Sequence, residues 1–234
     1  MASLELEACQ SCQRLPPLGL FPFLKVLKII GLNGILSIDG DFHGSNSSSF
    51  KSLETLYFSD MSQWEKWECQ TVTGVFPRLG RLSLRKCPKL KGVLLEQVVP
   101  LETLYISNCQ QLEALAPKSV DLELCMCGKL QLEWATMKRL KVAETSLLQI
   151  VRSDTLEDLH IDSSLESIND DCVSLLTFQL DFFPTLRTLH LSGFGNLEMI
   201  SQSLIHHHLE KLTLKNCSKL ESFPGSMHML LPSL

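Results

Sequence analysis

Leu101-Glu-Thr-Leu104-Tyr-Ile106-Ser-Asn-Cys109-Gln-Gln-Leu112 recurs along the chain. Leu79, Leu82, Leu84, Cys87 and Leu90 keep the same spacing, and so do Leu209, Leu212, Leu214, Cys217 and Leu220. The shared skeleton is L-x-x-L-x-L-x-x-C-x-x-L. Its x-x-L-x-L core alternates apolar and polar positions, the period of a strand with one buried face. The small residue that follows suits a turn closing one coil.

A short strand plus a turn, repeated, is the leucine-rich repeat, and it makes the chain a solenoid. The first leucine-type position falls at Leu24, Leu53, Leu79, Leu101, Ser119, Met137, Leu156, Leu186, Leu209 and Leu234. The spacings are 29, 26, 22, 18, 18, 19, 30, 23 and 25 residues. The three shortest leave no room for an outer helix, so extended or 3-10 segments are expected there. The expected fold is an α/β-type horseshoe with a parallel β-sheet on the concave face and a mostly irregular or 3-10 convex side.

Strands are predicted at 26–30, 55–59, 81–85, 103–107, 121–125, 139–143, 158–162, 188–192 and 211–215. Residues 1–234 form one domain of about ten irregular repeats in this reading. It is fragmentary at both ends, because neither end shows the polar capping repeat a solenoid needs. Two segments are expected to be loops: the Gly- and Ser-rich Asp39–Ser49, expected to be mobile, and Ser167–Asp181.

Composition narrows the functions. The hydrophobic fraction of 44% supports a continuous core, and the net charge of −5 argues against a nucleic-acid footprint. No run of about 18 apolar residues is present, so no membrane span is expected. The first residues lack the basic and apolar regions of a secretory signal. Five of the nine cysteines, Cys9, Cys87, Cys109, Cys127 and Cys217, share one repeat position, facing inward at the turn. Their placement follows the repeat rather than any pairing, which points to reduced thiols and a cytoplasmic location.

Cys9-x-x-Cys12 and Cys125-x-Cys127 have only part of a metal-ligand spacing, and a structural zinc site needs four ligands. No metal or other cofactor is expected. His206-His207-His208 is expected in an exposed turn. No nucleophile elbow, H-E-x-x-H or phosphate loop occurs, so no catalytic residue is assigned. Met61, Trp64 and Trp67 lie on the repeat grid and are expected to wedge the core.

Exposed strand positions stack into columns. One column reads Lys25, Glu54, Gly80, Glu102, Val120, Lys138, Glu157, Arg187, Glu210. From Lys138 onward the sign alternates at every coil, the pattern expected of cross-strand pairs worth roughly 0.2–1 kcal/mol each. The central column reads Lys28, Tyr57, Ser83, Tyr105, Glu123, Lys141, His160, His190, Thr213. It holds both tyrosines of the chain; aromatic residues are frequent interface anchors, while tyrosine's high strand propensity is the plainer alternative. The partner-binding candidates are Tyr57, Arg81, Arg85, Tyr105, Lys141, His160 and His190.

Several stretches resemble a known family. They are the Leu15-Pro-Pro-Leu-Gly-Leu-Phe-Pro-Phe-Leu24 run, the Asp41-Phe-His-Gly44 tail, the Phe50-Lys-Ser-Leu-Glu-Thr-Leu56 restart, the Met61/Trp64/Trp67 grid and the Phe76–Leu90 coil. They are similar to the repeat region of plant nucleotide-binding, leucine-rich-repeat disease resistance proteins of the coiled-coil class. The resemblance is specific from Leu15 to Leu115 and weaker beyond. It implies a sensor and autoinhibitory module that binds pathogen effectors or guarded host proteins. In a full-length receptor it implies contact with that receptor's own nucleotide-binding domain. The chain itself has no nucleotide-binding segment, so it is expected to act by binding and not as an enzyme. A ubiquitin-ligase substrate receptor on the same architecture is the alternative. An enzyme accessory domain or a cysteine-based redox sensor is a third reading.

Overall fold

The computed structural model describes residues 2–44, 49–68, 74–92, 101–112, 118–127, 130, 134–143, 152–163, 175–223 and 227–234. They are a leucine-rich-repeat solenoid and fall into two compact units, Met1–Glu133 and Trp134–Leu234.

The first unit carries one parallel sheet of long strands: β1 (Ala2–Glu7), β2 (Leu24–Ile30), β4 (Thr55–Ser59), β6 (Arg81–Arg85), β7 (Leu101–Cys109) and β8 (Ser119–Cys127). A second, two-stranded ladder joins β3 (Ser37–Ile38) to β5 (Lys66–Trp67). The second unit repeats this plan. Its long strands are β9 (Arg139–Val142), β10 (Asp158–Asp162), β12 (Thr188–Ser192) and β14 (Lys211–Lys215). Its small ladder pairs β11 (Thr177–Gln179) with β13 (Met199–Ser201).

Five strand predictions agree in both bounds: 55–59, 81–85, 158–162, 188–192 and 211–215. β2, β7 and β8 run two residues or more beyond the predicted span, and β9 stops one residue short. The small ladders were not foreseen, because two- and three-residue strands carry no period to read. Four short 3-10 turns and one four-residue α-helix complete the described elements.

In every long strand the alternate side chains go inward. Leu27 and Ile29, Leu56 and Phe58, Leu82 and Leu84, and Leu104 and Ile106 are buried, as are Leu159 with Ile161 and Leu189 with Leu191. At the outermost strands, Leu4, Leu6, Leu212 and Leu214 are only half-buried, since a single neighbouring coil covers them. Trp64 and Trp67 are buried beside Phe58, with ring centroids 4.7–5.5 Å apart, so the grid does wedge the core.

Each long strand but a few ends on a residue with positive φ. These are Ala8, Gly31, Asp60, Lys86, Asn108, Met126, Gly193 and Asn216, with φ between 49° and 78°. In five of them the N–H reaches the strand-end carbonyl of the next coil: Ala8 to Ile30, Gly31 to Ser59, Asp60 to Arg85, Lys86 to Ser107 and Gly193 to Lys215. The following side chain then turns back into the core, as Leu32, Met61, Cys87, Cys109 and Phe194 do. Where it is cysteine, Sγ donates to the backbone carbonyl two residues earlier, at 3.2–3.5 Å.

A second turn recurs at the start of several coils. The carbonyls of Phe21, Phe50, Phe76, Phe183 and Leu231 accept the N–H of Leu24, Leu53, Leu79, Leu186 and Leu234. Ser153 and His206 occupy the same place without the same bond. There the Ser153 Oγ accepts Leu156 N–H at 3.2 Å, and His206 Nδ1 accepts Leu209 N–H at 3.2 Å. His206 Nε2 lies 2.8 Å from Phe183 O, so the ring proton belongs on Nε2. His206 is therefore buried, not in the exposed turn expected of the histidine triplet; it takes the place of a core phenylalanine.

The expected loop Asp39–Ser49 is also corrected in part. Gly40–His43 is a 3-10 helix capped by Asp39, whose side chain accepts Asp41 N–H at 3.1 Å. It is pinned because Phe42 and His43 are buried; residues 45–48 lie outside the described residues. Within Ser167–Asp181, residues 167–174 lie outside the description and Thr177–Gln179 form β11. Gly19 explains the glycine in the Leu15–Leu24 run: a Cβ there would stand 2.0 Å from His43 O.

His43 sits edge-on to Phe42, Phe50 and Phe76, with centroids 5.1–5.9 Å away. Burial pushes its pKa from 6.5 down to about 4, against an opposing pull from Asp39. The unfolded chain thus binds a proton between these values that the folded chain refuses. The contribution is complete above pH about 6.5 and is lost as pH falls toward about 4. Urea melts across that window should lose about 3 kcal/mol to this group, a dependence that H43L should flatten. At the second turn, H206F is expected to stay within ~1 kcal/mol of the native chain, whereas H206A should lose about 2–4 kcal/mol. Thermal melts of the two variants distinguish packing at this position from a requirement for histidine.

Candidate functional site

The solvent-facing side of each long-strand sheet is assembled by register. In the first unit Lys28, Tyr57, Ser83, Tyr105 and Glu123 are direct parallel partners. In the second, Lys141, His160, His190 and Thr213 are. The central column read from the sequence is therefore one row of neighbours within each unit. The seven candidate residues divide between the units: Tyr57, Arg81, Arg85 and Tyr105 on the first, Lys141, His160 and His190 on the second.

On the first unit, Ser83 lies between the two tyrosines, and Arg81 and Arg85 sit two residues to either side of it on the same face. Adjacent strands are about 4.8 Å apart, so the tyrosine backbones are about 9.6 Å apart across the small serine. The Arg85 guanidinium lies 5.3 Å from the centroid of the Tyr105 ring and hydrogen-bonds to Tyr57. Tyr105 first, and Tyr57 after it, favour its charged form. A cation over an aromatic face contributes about 0.5–1 kcal/mol at exposed sites. Arg85 thus links the two tyrosines on either side of Ser83. Arg81 stands apart, 3.7 Å from Glu102, with both side chains well exposed.

On the second unit the His160 and His190 rings stack, 4.1 Å between centroids and 15° between planes. Burial, then Lys215, lowers the pKa of His190, while Asp162 opposes. Lys141 faces His160 across the ladder and is exposed. Lys211 and Lys215 on β14 complete this group, and neither was singled out beforehand. Lys215 falls in the fourth exposed strand column, with Arg85, and laying out that column finds it; Lys211 falls in the second, with Arg81.

The alternating charges behave as expected of a ladder. Lys25 reaches Glu54 at 2.6 Å, Lys138 reaches Glu157 at 2.9 Å and Arg187 reaches Glu210 at 2.9 Å, each linking successive coils. Lysine hydrogen bonds hold the Glu54 and Glu157 carboxyls below the usual carboxylate range. All six side chains are substantially exposed, so these pairs add little stability and mainly favour the register.

Cys87 and Cys109 are buried in adjacent coils; the hydrogen bond with the Cys109 thiol, then burial, push the Cys87 pKa far up. Cys9 departs from the expected inward position and is exposed, because it turns in the first coil, which has a neighbour on one side only. Among the described residues no group of three or more His, Cys, Asp or Glu could hold a metal ion. No helix among them is long and apolar enough to cross a membrane.

The chain's homologues are plant disease resistance proteins. It is 27% identical over 234 residues, 94% of its length, to an Arabidopsis thaliana protein described as disease resistance RPP13-like protein 1. A second Arabidopsis thaliana protein described as a disease resistance protein is 35% identical over 114 residues, 47% of the chain. The matched segments amount to 19% and 8% of those proteins. No protein-family model and no solved structure matches. The kinship agrees with the resemblance carried by the Leu15–Leu90 motifs.

Thiol labelling of the native chain, mapped by mass spectrometry, should modify Cys9 and Cys12 first. Cys87 and Cys109 should react only on unfolding, since both thiols are buried out of reach of the reagent. Fast native labelling of Cys87 would contradict this burial.

Proposed function

We propose that this leucine-rich-repeat region, whose homologues are plant disease resistance proteins, is the protein-recognition and autoinhibitory module of a cytoplasmic plant immune receptor. It binds a pathogen effector or a guarded host protein. Within a longer receptor it also contacts that receptor's nucleotide-binding domain. It acts by binding and carries out no chemistry of its own.

The observation that carries the reading is the Tyr57–Arg85–Tyr105 cluster on the solvent-facing side of the first unit's sheet. Aromatic and arginine side chains dominate binding energy at protein interfaces because they bury large amphipathic surfaces. Here Arg85 holds the two tyrosines before any partner arrives, which lowers the ordering cost of association. The tyrosines are half-buried and lie opposite the core-facing leucines, so their truncation leaves the solenoid packed. Arg81, Lys141, His160 and His190 extend the recognition surface within their own units.

The test uses a resistance protein that contains this chain. Y57A/Y105A should weaken capture of the effector or guarded protein about tenfold or more, roughly 1.4 kcal/mol, and abolish the defence response in transient expression. Circular dichroism should remain that of the native chain. Unchanged capture and an intact response in a folded double variant would remove these tyrosines from recognition.

A further inference from the structure

We propose that the solvent-facing side of the second unit's sheet binds an acidic segment of a protein partner, through Lys211, Lys215 and the stacked His160–His190 pair. The inference takes from the recognition reading only that the ligand is a protein.

Charge balance is the first argument. Lys138–Glu157 and Arg187–Glu210 close on themselves across the coils. What else the strands present is Arg139, Lys141, Lys211 and Lys215, against Asp158 and Asp162. The face thus carries an excess of cations on a chain whose net charge is −5. Complementary potential of this kind selects an acidic partner and speeds its docking. Lys211 and Lys215 are exposed and make no ion pair with any described residue. Among the described residues their positive charges are therefore uncompensated.

Geometry is the second argument. Lys211, Thr213 and Lys215 line one face of β14, and the lysines are about 13 Å apart along the strand. Carboxylates at positions i and i+4 of an extended peptide have the same separation. His190 is the direct partner of Thr213 and stacks on His160, so imidazole N–H donors adjoin the lysine row. Lys215 and Lys211 lie close enough to lower the pKa of His190, which places one electrostatic field over all of them. Nucleic acid fits less well: no Phe, Tyr or Trp is among the outward residues of β9, β10, β12 and β14, and the His160 and His190 rings already cover one face of each other.

The test is fluorescence anisotropy of labelled decaglutamate and decalysine with the whole 234-residue chain at low salt. Decaglutamate should bind, with affinity falling as salt rises, and decalysine should not. Lys211→Gln with Lys215→Gln should weaken decaglutamate at least tenfold, and His160→Ala with His190→Ala at least threefold. Lys66→Glu, on the small ladder of the first unit, should leave it unchanged. A cooperative melt for each variant excludes misfolding as the cause. The proposal is overturned by decaglutamate binding no better than decalysine, by binding that survives loss of both lysines, or by tighter binding of an oligothymidylate. A partner captured through Tyr57 and Tyr105 in a chain that ignores decaglutamate would overturn this inference and leave the recognition reading standing. Lysine-dependent decaglutamate binding, with partner capture indifferent to those tyrosines, would do the reverse.

Discussion

The left-handed residue at the strand end is the constraint on which the coils depend. A chain that leaves a buried strand must reverse toward the core at once, or the next apolar side chain is stranded in solvent. Positive φ at Gly31, Asp60, Lys86, Asn108, Gly193 and Asn216 makes that reversal within one residue. In Gly31, Asp60, Lys86 and Gly193 the same residue keeps its N–H in the ladder. Glycine, asparagine and aspartate adopt this conformation at least cost. Ala8, Lys86 and Met126 adopt it against their own preference, held there by the stacking of neighbouring coils.

From that turn the rest of the architecture follows. The residue after it re-enters the core, which is why that position holds cysteine, leucine, methionine or phenylalanine. Cysteine adds a weak donor that reaches back to the strand-end carbonyl, a role with no redox content. The entry turn closes the coil with a phenylalanine carbonyl, or with the side chain of Ser153 or His206 as a substitute acceptor. Each coil thus meets its backbone hydrogen-bonding needs locally and buries its apolar face on its neighbours. The side chains left outward include the ladder pairs and the residues proposed for recognition: tyrosine and arginine on one unit, lysine and histidine on the other.

Much of this was legible in the repeat. Five strands were placed to the residue, because L-x-x-L-x-L sets both period and face. The register of the central column was legible for the same reason: equivalent positions in successive coils must become neighbours. The Lys138-to-Glu210 alternation likewise produced the ion pairs it implied. The misses have physical causes. His206 looked like one of three surface histidines; only the packed coil reveals that its ring replaces a phenylalanine and its Nδ1 replaces a carbonyl. Phe42 and His43 lay in a stretch with loop composition, and burial against Phe50 and Phe76 overrode it. Cys9 matched the repeat but turned out exposed, because the pattern does not state how many neighbours a coil has.

By itself the sequence determined the repeat, the strand faces, the identity of each outward column and the kinship with plant disease resistance proteins. All of these depend on spacing along the chain, which a linear pattern encodes directly. Only the tertiary structure decided which outward residues touch. Arg85 bridges Tyr57 and Tyr105, and His160 stacks on His190 beside lysines from another strand. Those contacts depend on side-chain reach across 4.8 Å strand spacings and on what each neighbour already binds, and spacing along the chain carries no record of either.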